Sequence, residues 1–366
     1  MKNNVKNERL KRRFFKWMKE ANGYSNLTIN AIEKSIWLYE DFTNHADFRG
    51  FNSRTATNFK KWLEERKYRG KQISITTVYH YLRFLKGFFL WVSGQPGYKS
   101  KIDHDSISYL SLEKKKVRNA IAPKRTEYPT LEYVKKLIKS IEPKTEIDKR
   151  DRALIAFLVL SGMRDKAMTS LPLGCFDREK LEVRHYTDKG VDTKFGKSYI
   201  SYLFKFDDDL VNDVIEWAKY LETEKLFGSD DPLFPRSKVE QEKDALTFVC
   251  KRVEPVFWKG TGSIRQMLRN RSQSAGLRYY HPHSFRHLAV CLARKNCKTA
   301  EELKAVSQNF GHEYIGTTMM NYGKLDDFRV EEIVSNMDFS DSGKSVEQSQ
   351  EIEEVIKRLQ KMKNRA

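Results

Sequence analysis

Four short segments in the second half of the chain concentrate side chains suited to phosphate chemistry. They are SGMRDKAMTSL at 161–171, TKFGKSYISY at 193–202, HPHSFRHLAV at 281–290 and GHEYIGTTMMNYG at 311–323. Between them they hold Arg164, Lys194, His283, Arg286, His312 and Tyr322. Cleaving a phosphodiester without a metal needs a nucleophile at phosphorus, donors that stabilise the pentacoordinate transition state, and an acid for the departing 5′ oxygen. Planar guanidinium groups suit the two non-bridging oxygens, because they deliver parallel charge-assisted hydrogen bonds. Taken singly these pieces are weak. His-x-x-Arg also occurs as His80–Arg83, on a basic N-terminal helix where it reads as a DNA-facing or solvated pair. The later copy differs in having Pro282 before it and His287 after it.

In this order, with a β-hairpin between the first and third, the four segments resemble the signature boxes of the tyrosine recombinase, or phage integrase, family. The resemblance is close in the boxes, extends in layout over 127–335, and reaches loosely to 5–100, which looks like the family's helical core-binding domain. It implies that Arg164 and Arg286 clamp the scissile phosphate and that Lys194 protonates the leaving oxygen. His283 would handle a proton, His312 would hydrogen-bond the phosphate, and Tyr322 would form the 3′-phosphotyrosine bond. Tyr314 and Tyr280 are the rival tyrosines, and Lys189 and Lys197 share the hairpin with Lys194. Three departures from the family pattern stand out. The acid usual three residues after the first arginine is replaced by Ala167, with Asp165 as an available carboxylate. Tyr322 lies ten residues after His312, one more than is commonest, and the hairpin turn is long.

The activity implied is site-specific DNA recombination of the integrase or transposase type, through a phosphotyrosine intermediate and a Holliday junction. Its partners would be duplex DNA recombination sites, a homotetramer on DNA and an accessory recombination factor. No cofactor and no metal are expected. Type IB topoisomerase-like relaxation shares the chemistry, and a catalytically silent DNA-binding regulator shares the binding. Retention of every charged group weighs against the second.

Charge agrees with a polyanionic partner. The chain carries a net +19, unevenly placed: residues 1–126 hold 27 Lys and Arg against 11 Asp and Glu, and the other 240 hold 41 against 38. Neutralised phosphates release condensed counterions, so a nucleic-acid surface concentrates positive charge in this way. No run of about 18 apolar residues occurs, so no membrane span is expected. The start, Met1 to Lys11, is polar and charged, unlike a secretory leader. The four cysteines form no C-x-x-C pair and read as reduced thiols of a cytoplasmic protein, and the family resemblance implies one that is nucleoid-associated and encoded by a bacterium, phage or mobile element.

The elements that must position these groups are mostly α-helical, with a small β-sheet or hairpin in the catalytic domain, an α+β class. Residues 1–112 read as a basic core-binding bundle of about four helices, with stripes at Ile29, Ile32, Ile36, Tyr39, Phe42 and at Val78, Leu82, Leu85, Phe89, Val92. The interleaved aromatics, Phe14, Phe15, Trp17, Trp37, Trp62, Phe88, Phe89 and Trp91, read as core at helical spacing. Residues 113–128 read as a charged linker and 129–338 as the catalytic domain. Within that domain Thr130 caps a helix, Gly162 ends another just before Arg164, the strands LEVRHYT and KSYISYLFKF flank a turn, and helices run from about 209 to 338. The tail 339–366 ends in an amphipathic stripe, Ile352, Val355, Ile356, Leu359 and Met362, suited to a neighbouring protomer or to its own domain.

Overall fold

The computed structural model describes residues 4–122, 127–241, 248–312 and 335. Tyr322 and the tail 339–366 lie outside the described residues. Backbone contacts divide the chain into two units, 1–124 and 125–366.

The first unit is built from helices with polar caps. Asn4, Ser25, Asn52 and Ser74 each accept hydrogen bonds from the first-turn amides of α1 (Val5–Glu20), α2 (Asn26–Phe42), α3 (Ser53–Glu65) and α4 (Ile75–Ser93). Helix α1 shows why these sequences fold together: its buried residues are Asn7, Leu10, Lys11, Phe14 and Met18, a three-to-four spacing on one face. The polar members of that stripe are satisfied. Lys11 Nζ donates to Glu40 at 2.7 Å and to Glu8, and Asn7 bridges Glu40, the Ala46 carbonyl and the Phe48 amide. Of the interleaved aromatics, Phe14, Phe88 and Phe89 are core, and Phe15, Trp62 and Trp91 pack partly buried against it. Trp17 and Trp37 depart from the core reading and are exposed.

A two-stranded hairpin, β1 (Lys67–Tyr68) with β2 (Lys71–Gln72), and two short helices, α5 (His104–Ser108) and α6 (Lys114–Ile121), complete this unit. Helix α6 occupies ground expected to be linker. It is short and polar, so it carries no long periodic signal. Its packing on α4, with Ala120 buried, its carbonyl accepting from Thr76, and Lys116 bonded to Glu64, holds it in place.

The second unit is organised around α8 (Glu146–Ser161), which follows α7 (Leu131–Lys139). Thr130 caps α7, as its sequence predicts, and Thr145 with Asp148 forms a capping box on α8. Every residue of α8 from Ala153 to Ser161 is buried, because it packs against α7, α10 (Asp208–Thr223), β7 (Phe248–Val253) and α12 (Pro282–Lys295). Each large apolar side chain so buried contributes ~1.5–3 kcal/mol relative to exposure. After the short α9 (Asp165–Met168), strands β3 (Phe176–Asp177), β4 (Glu182–His185) and β5 (Tyr199–Tyr202) form an antiparallel sheet in that order. Its second hairpin has the long turn expected, running from 186 to 198.

Beyond it the structure departs from the all-helical expectation. A further hairpin pairs β6 (Ser237–Gln241) with β7, before α11 (Gly262–Ser274), α12 and α13 (Ala300–Asn309). Strand β6 is nearly all polar, so its sequence offers no apolar alternation. Long-range bonds fix it: Arg150 donates to the Pro235 carbonyl and Ser237, and Glu146 accepts from the Val253 amide. No helix among the described residues is long and apolar enough to cross a membrane.

Candidate active site

The site forms where the C-terminus of α8, the start of α12 and the end of α13 meet. Helix α8 stops because Gly162 takes a left-handed conformation, φ 55°, which glycine adopts without the steric penalty of a Cβ. The Ser161 hydroxyl donates back to the Phe157 carbonyl and accepts from the Met163 amide, which fixes the turn. Arg164 follows, half-buried, at the N-cap of α9.

Helix α12 is launched by Pro282 in its first turn and by the His281 ring, which accepts from the His283 amide. One turn further in lies Arg286, 1% exposed. Its Nη1 donates to the Gly162 carbonyl at 2.6 Å, and its Nη2 reaches the Phe310 carbonyl at 2.7 Å and His312 Nε2 at 2.8 Å. A guanidinium can only donate, so His312 Nε2 accepts and the neutral ring carries its proton on Nδ1. These bonds tie together segments 124 and 24–26 residues away from Arg286. Gly162 also lets the Phe310 ring lie against the α8 terminus: a Cβ there would meet the ring edge, with Phe310 Cδ1 at 2.9 Å.

The electrostatics are those of a cationic cluster. Burial lowers the pKa of His312 to about 3, and the charges of Arg286, Arg164 and Lys194 act in the same direction. His283 retains a solvent-exposed surface, yet desolvation and the same two arginines hold its pKa below the ordinary value. It meets His287 edge to face at 5.0 Å, and burial with the His283 charge takes His287 to about 4. Lys194 sits exposed in the β4–β5 turn, its Nζ 4.7 Å from the ring of Phe195, which is itself 81% exposed with φ 65°. Asp165 pairs with Arg265 at 3.3 Å. Thus Arg164, Lys194, His283, Arg286 and His312 share one field, whereas His80 and Arg83 lie exposed on α4 in the other unit.

Two neighbours escaped the sequence reading. His185, 1% exposed, stacks on Tyr199 with ring centroids 4.0 Å apart, and its Nε2 lies 2.8 Å from Ser201 Oγ. Burial lowers His185 to about 3 and raises Tyr199, with Arg286 and Arg164 acting on both. The one available signal was alternation: Val183 and His185 fall on the buried face of β4. Among the described residues no group of three or more His, Cys, Asp or Glu could hold a metal.

The model of the "Phage integrase family" matches residues 129–329. Among curated proteins, tyrosine recombinase XerC of Lactobacillus delbrueckii subsp. bulgaricus is 24% identical over 313 residues, covering 85% of this chain and 92% of that one. Among solved structures, a lambda integrase dimer bound to a COC′ core site has a TM-score of 0.59 at 13% identity, covering 87% of this chain and 79% of that one. The XerH site-specific recombinase bound to difH substrate has a TM-score of 0.53 at 18% identity, covering 89% and 84%. The family model spans more than half of the chain and all four boxes, and the protein therefore belongs to the phage integrase family, the tyrosine recombinases.

Proposed function

We propose that this chain recombines DNA at specific sites by cleaving and rejoining strands through a 3′-phosphotyrosine at Tyr322. The observation that carries the reading is the bonding of Arg286 to the Gly162 turn and to His312, which joins three boxes in one cationic cluster. Arg164 and Arg286 bear the charge that develops on the non-bridging oxygens, with His312 as a further donor through Nδ1–H. Tyr322, with an ordinary pKa near 10, loses its proton as it attacks, and His283 accepts it. A lowered pKa suits His283 to that task, since its neutral form predominates at pH 7. Lys194 donates to the leaving 5′ oxygen. Of the hairpin lysines it is favoured because its charge is felt at His312, whereas that of Lys189 is felt at Cys175.

The phosphotyrosine ester conserves the energy of the broken bond, and a 5′ hydroxyl of the partner duplex reverses the step. Four protomers on two duplexes complete the exchange through a Holliday junction, with the basic residues 1–126 gripping phosphates. The 339–366 stripe docks on a neighbouring protomer, and deletion of 343–366 that leaves synapsis and recombination unchanged would remove that part of the reading.

Covalent trapping tests the whole. Wild type and Tyr322→Phe are mixed with labelled, nicked duplexes from the DNA flanking the gene and run on denaturing gels. An SDS-stable adduct with wild type alone is the expected result. Adducts with both proteins would move the nucleophile to another tyrosine, and tight binding without any adduct would support a silent DNA-binding regulator.

A further inference from the structure

The turn that carries Lys194 has its base at the last pair of the β4–β5 ladder, His185 opposite Tyr199. That pair is anchored on both sides. Behind it, the buried His185 ring stacks on Tyr199 at an interplanar angle of 10° and bonds to Ser201 on the same strand as Tyr199. In front of it, the tyrosine ring lies on the bare Cα of Gly311. A Cβ at Gly311 would stand 2.6 Å from Tyr199 Cζ and 2.9 Å from its hydroxyl oxygen, and Gly311 has φ +66°. The residue after Gly311 is His312, and the one before it is Phe310, whose carbonyl holds Arg286.

A second bridge lies three residues along β5. The Tyr202 amide donates to Asn309 Oδ1 at 2.7 Å, and Asn309 Nδ2 donates to the Tyr202 carbonyl at 2.9 Å. The Asn309 side chain thus pairs with the edge of β5 as a neighbouring strand would. Strand β5 is therefore held at two points on the 309–311 segment, one by hydrogen bonds and one by ring-on-glycine contact. The outgoing limb of the turn is tied elsewhere, to the segment after Arg164, where Lys166 pairs with Asp192 at 2.5 Å and the Asp192 amide donates to Ser170 Oγ at 2.8 Å, so β5 governs its returning limb. Bonds from the Thr187 amide and hydroxyl to Ser198 close the two ends of the turn onto the ladder.

We propose that Tyr199, seated between His185 and Gly311 and assisted by Asn309, is a positioning residue that sets where Lys194 stands relative to Arg286 and His312. This rests on the reading of Lys194 as the donor to the leaving oxygen. Tyr199 touches neither substrate nor reacting atoms in this role. It transmits the position of the 309–312 segment to the lysine turn, so that clamp and acid arrive on the same phosphate together.

The test separates proton donation from all other uses of the site. Single-turnover cleavage is measured with the full chain on the nicked duplex that yields the adduct, made with either a normal 5′ oxygen or a 5′ bridging sulfur at the scissile phosphate. A thiolate leaves without protonation, so the sulfur substrate bypasses the acid. Lys194→Ala should slow the oxygen substrate by ~10²–10⁴-fold, the range for one positioned acid, and cleave the sulfur substrate near the wild-type rate. Tyr199→Leu should slow the oxygen substrate by ~10–10²-fold, as a misplacement of about 1 Å does, with the sulfur substrate again near wild type. Tyr199→Phe keeps the ring and should restore the oxygen rate. Asn309→Ala, which empties a half-buried site, gives a milder version of the same split without endangering the fold.

If Tyr199→Leu and Asn309→Ala slow both substrates equally, the positioning role is overturned and the pair merely supports the site. If Lys194→Ala is itself not rescued by sulfur, the assignment of Lys194 fails and the inference built on it falls with it.

Discussion

Gly162→Ala tests the central joint of the site. Two costs add at this position. An alanine held at φ 55° pays ~1–2 kcal/mol for the left-handed conformation. Its Cβ would also press on the Phe310 ring, with Cδ1 at 2.9 Å and the Ala289 Cβ at 3.3 Å, and overpacking of this kind costs ~1–3 kcal/mol. The expected loss is ~2–5 kcal/mol for the second unit, a large share of the ~5–15 kcal/mol typical of a folded domain. Urea titration with hydrogen-exchange readout on peptides of α8 and α12 measures this unit separately from the first. Adding Phe310→Leu should remove the steric part and leave the backbone part, a coupling of ~1–3 kcal/mol. The functional consequence follows from the carbonyls. Gly162 and Phe310 both hold Arg286, so a ring pushed aside by about 1 Å should slow cleavage by ~10²-fold. A Gly162→Ala stability within ~0.5 kcal/mol of wild type, or strict additivity with Phe310→Leu, would refute the reasoning.

Other outcomes are expected on the same grounds. His185 and His312 are held neutral, with folded pKa values of about 3 against an ordinary 6.5. Their contribution is complete above pH ~6.5 and is lost as the pH falls from there towards 3, by roughly 1 kcal/mol per unit for each ring. Urea midpoints of the second unit should therefore drop between pH 7 and 5, and less steeply in His185→Gln; parallel slopes would contradict this. In the first unit, Lys11→Met leaves the buried Glu40 carboxylate without its counter-charge, with Asn7 as its neutral donor, and should cost ~3–5 kcal/mol, while Lys11→Met with Glu40→Leu recovers most of it. A single variant as stable as the double one would show that the pair does not act as argued. In the trapping assay, Tyr322→Phe should give no adduct while retaining DNA binding, checked by gel shift at several salt concentrations.

What the sequence by itself determined is what depends on neighbours along the chain. The cap at Thr130 and the stop at Gly162 are local chemistry, and the helical stripes are a matter of spacing. The box residues were legible because their types are dictated by phosphate chemistry and their order could be compared with a known pattern. Elements with weak local signals were not legible. Helix α6 is a short polar helix of about two turns that packs against α4, and β6 is a mostly polar strand whose partners are Arg150 and β7. Only the tertiary structure decided that Arg286 would be buried, since its three acceptors come from segments distant in the chain. The same holds for His185 and Tyr199. A histidine on a strand acquires a lowered pKa, and a glycine before a histidine acquires its necessity, only when the ring of Tyr199 is brought between them. Propensity and capping act over a few residues, whereas desolvation and close packing depend on which surfaces meet.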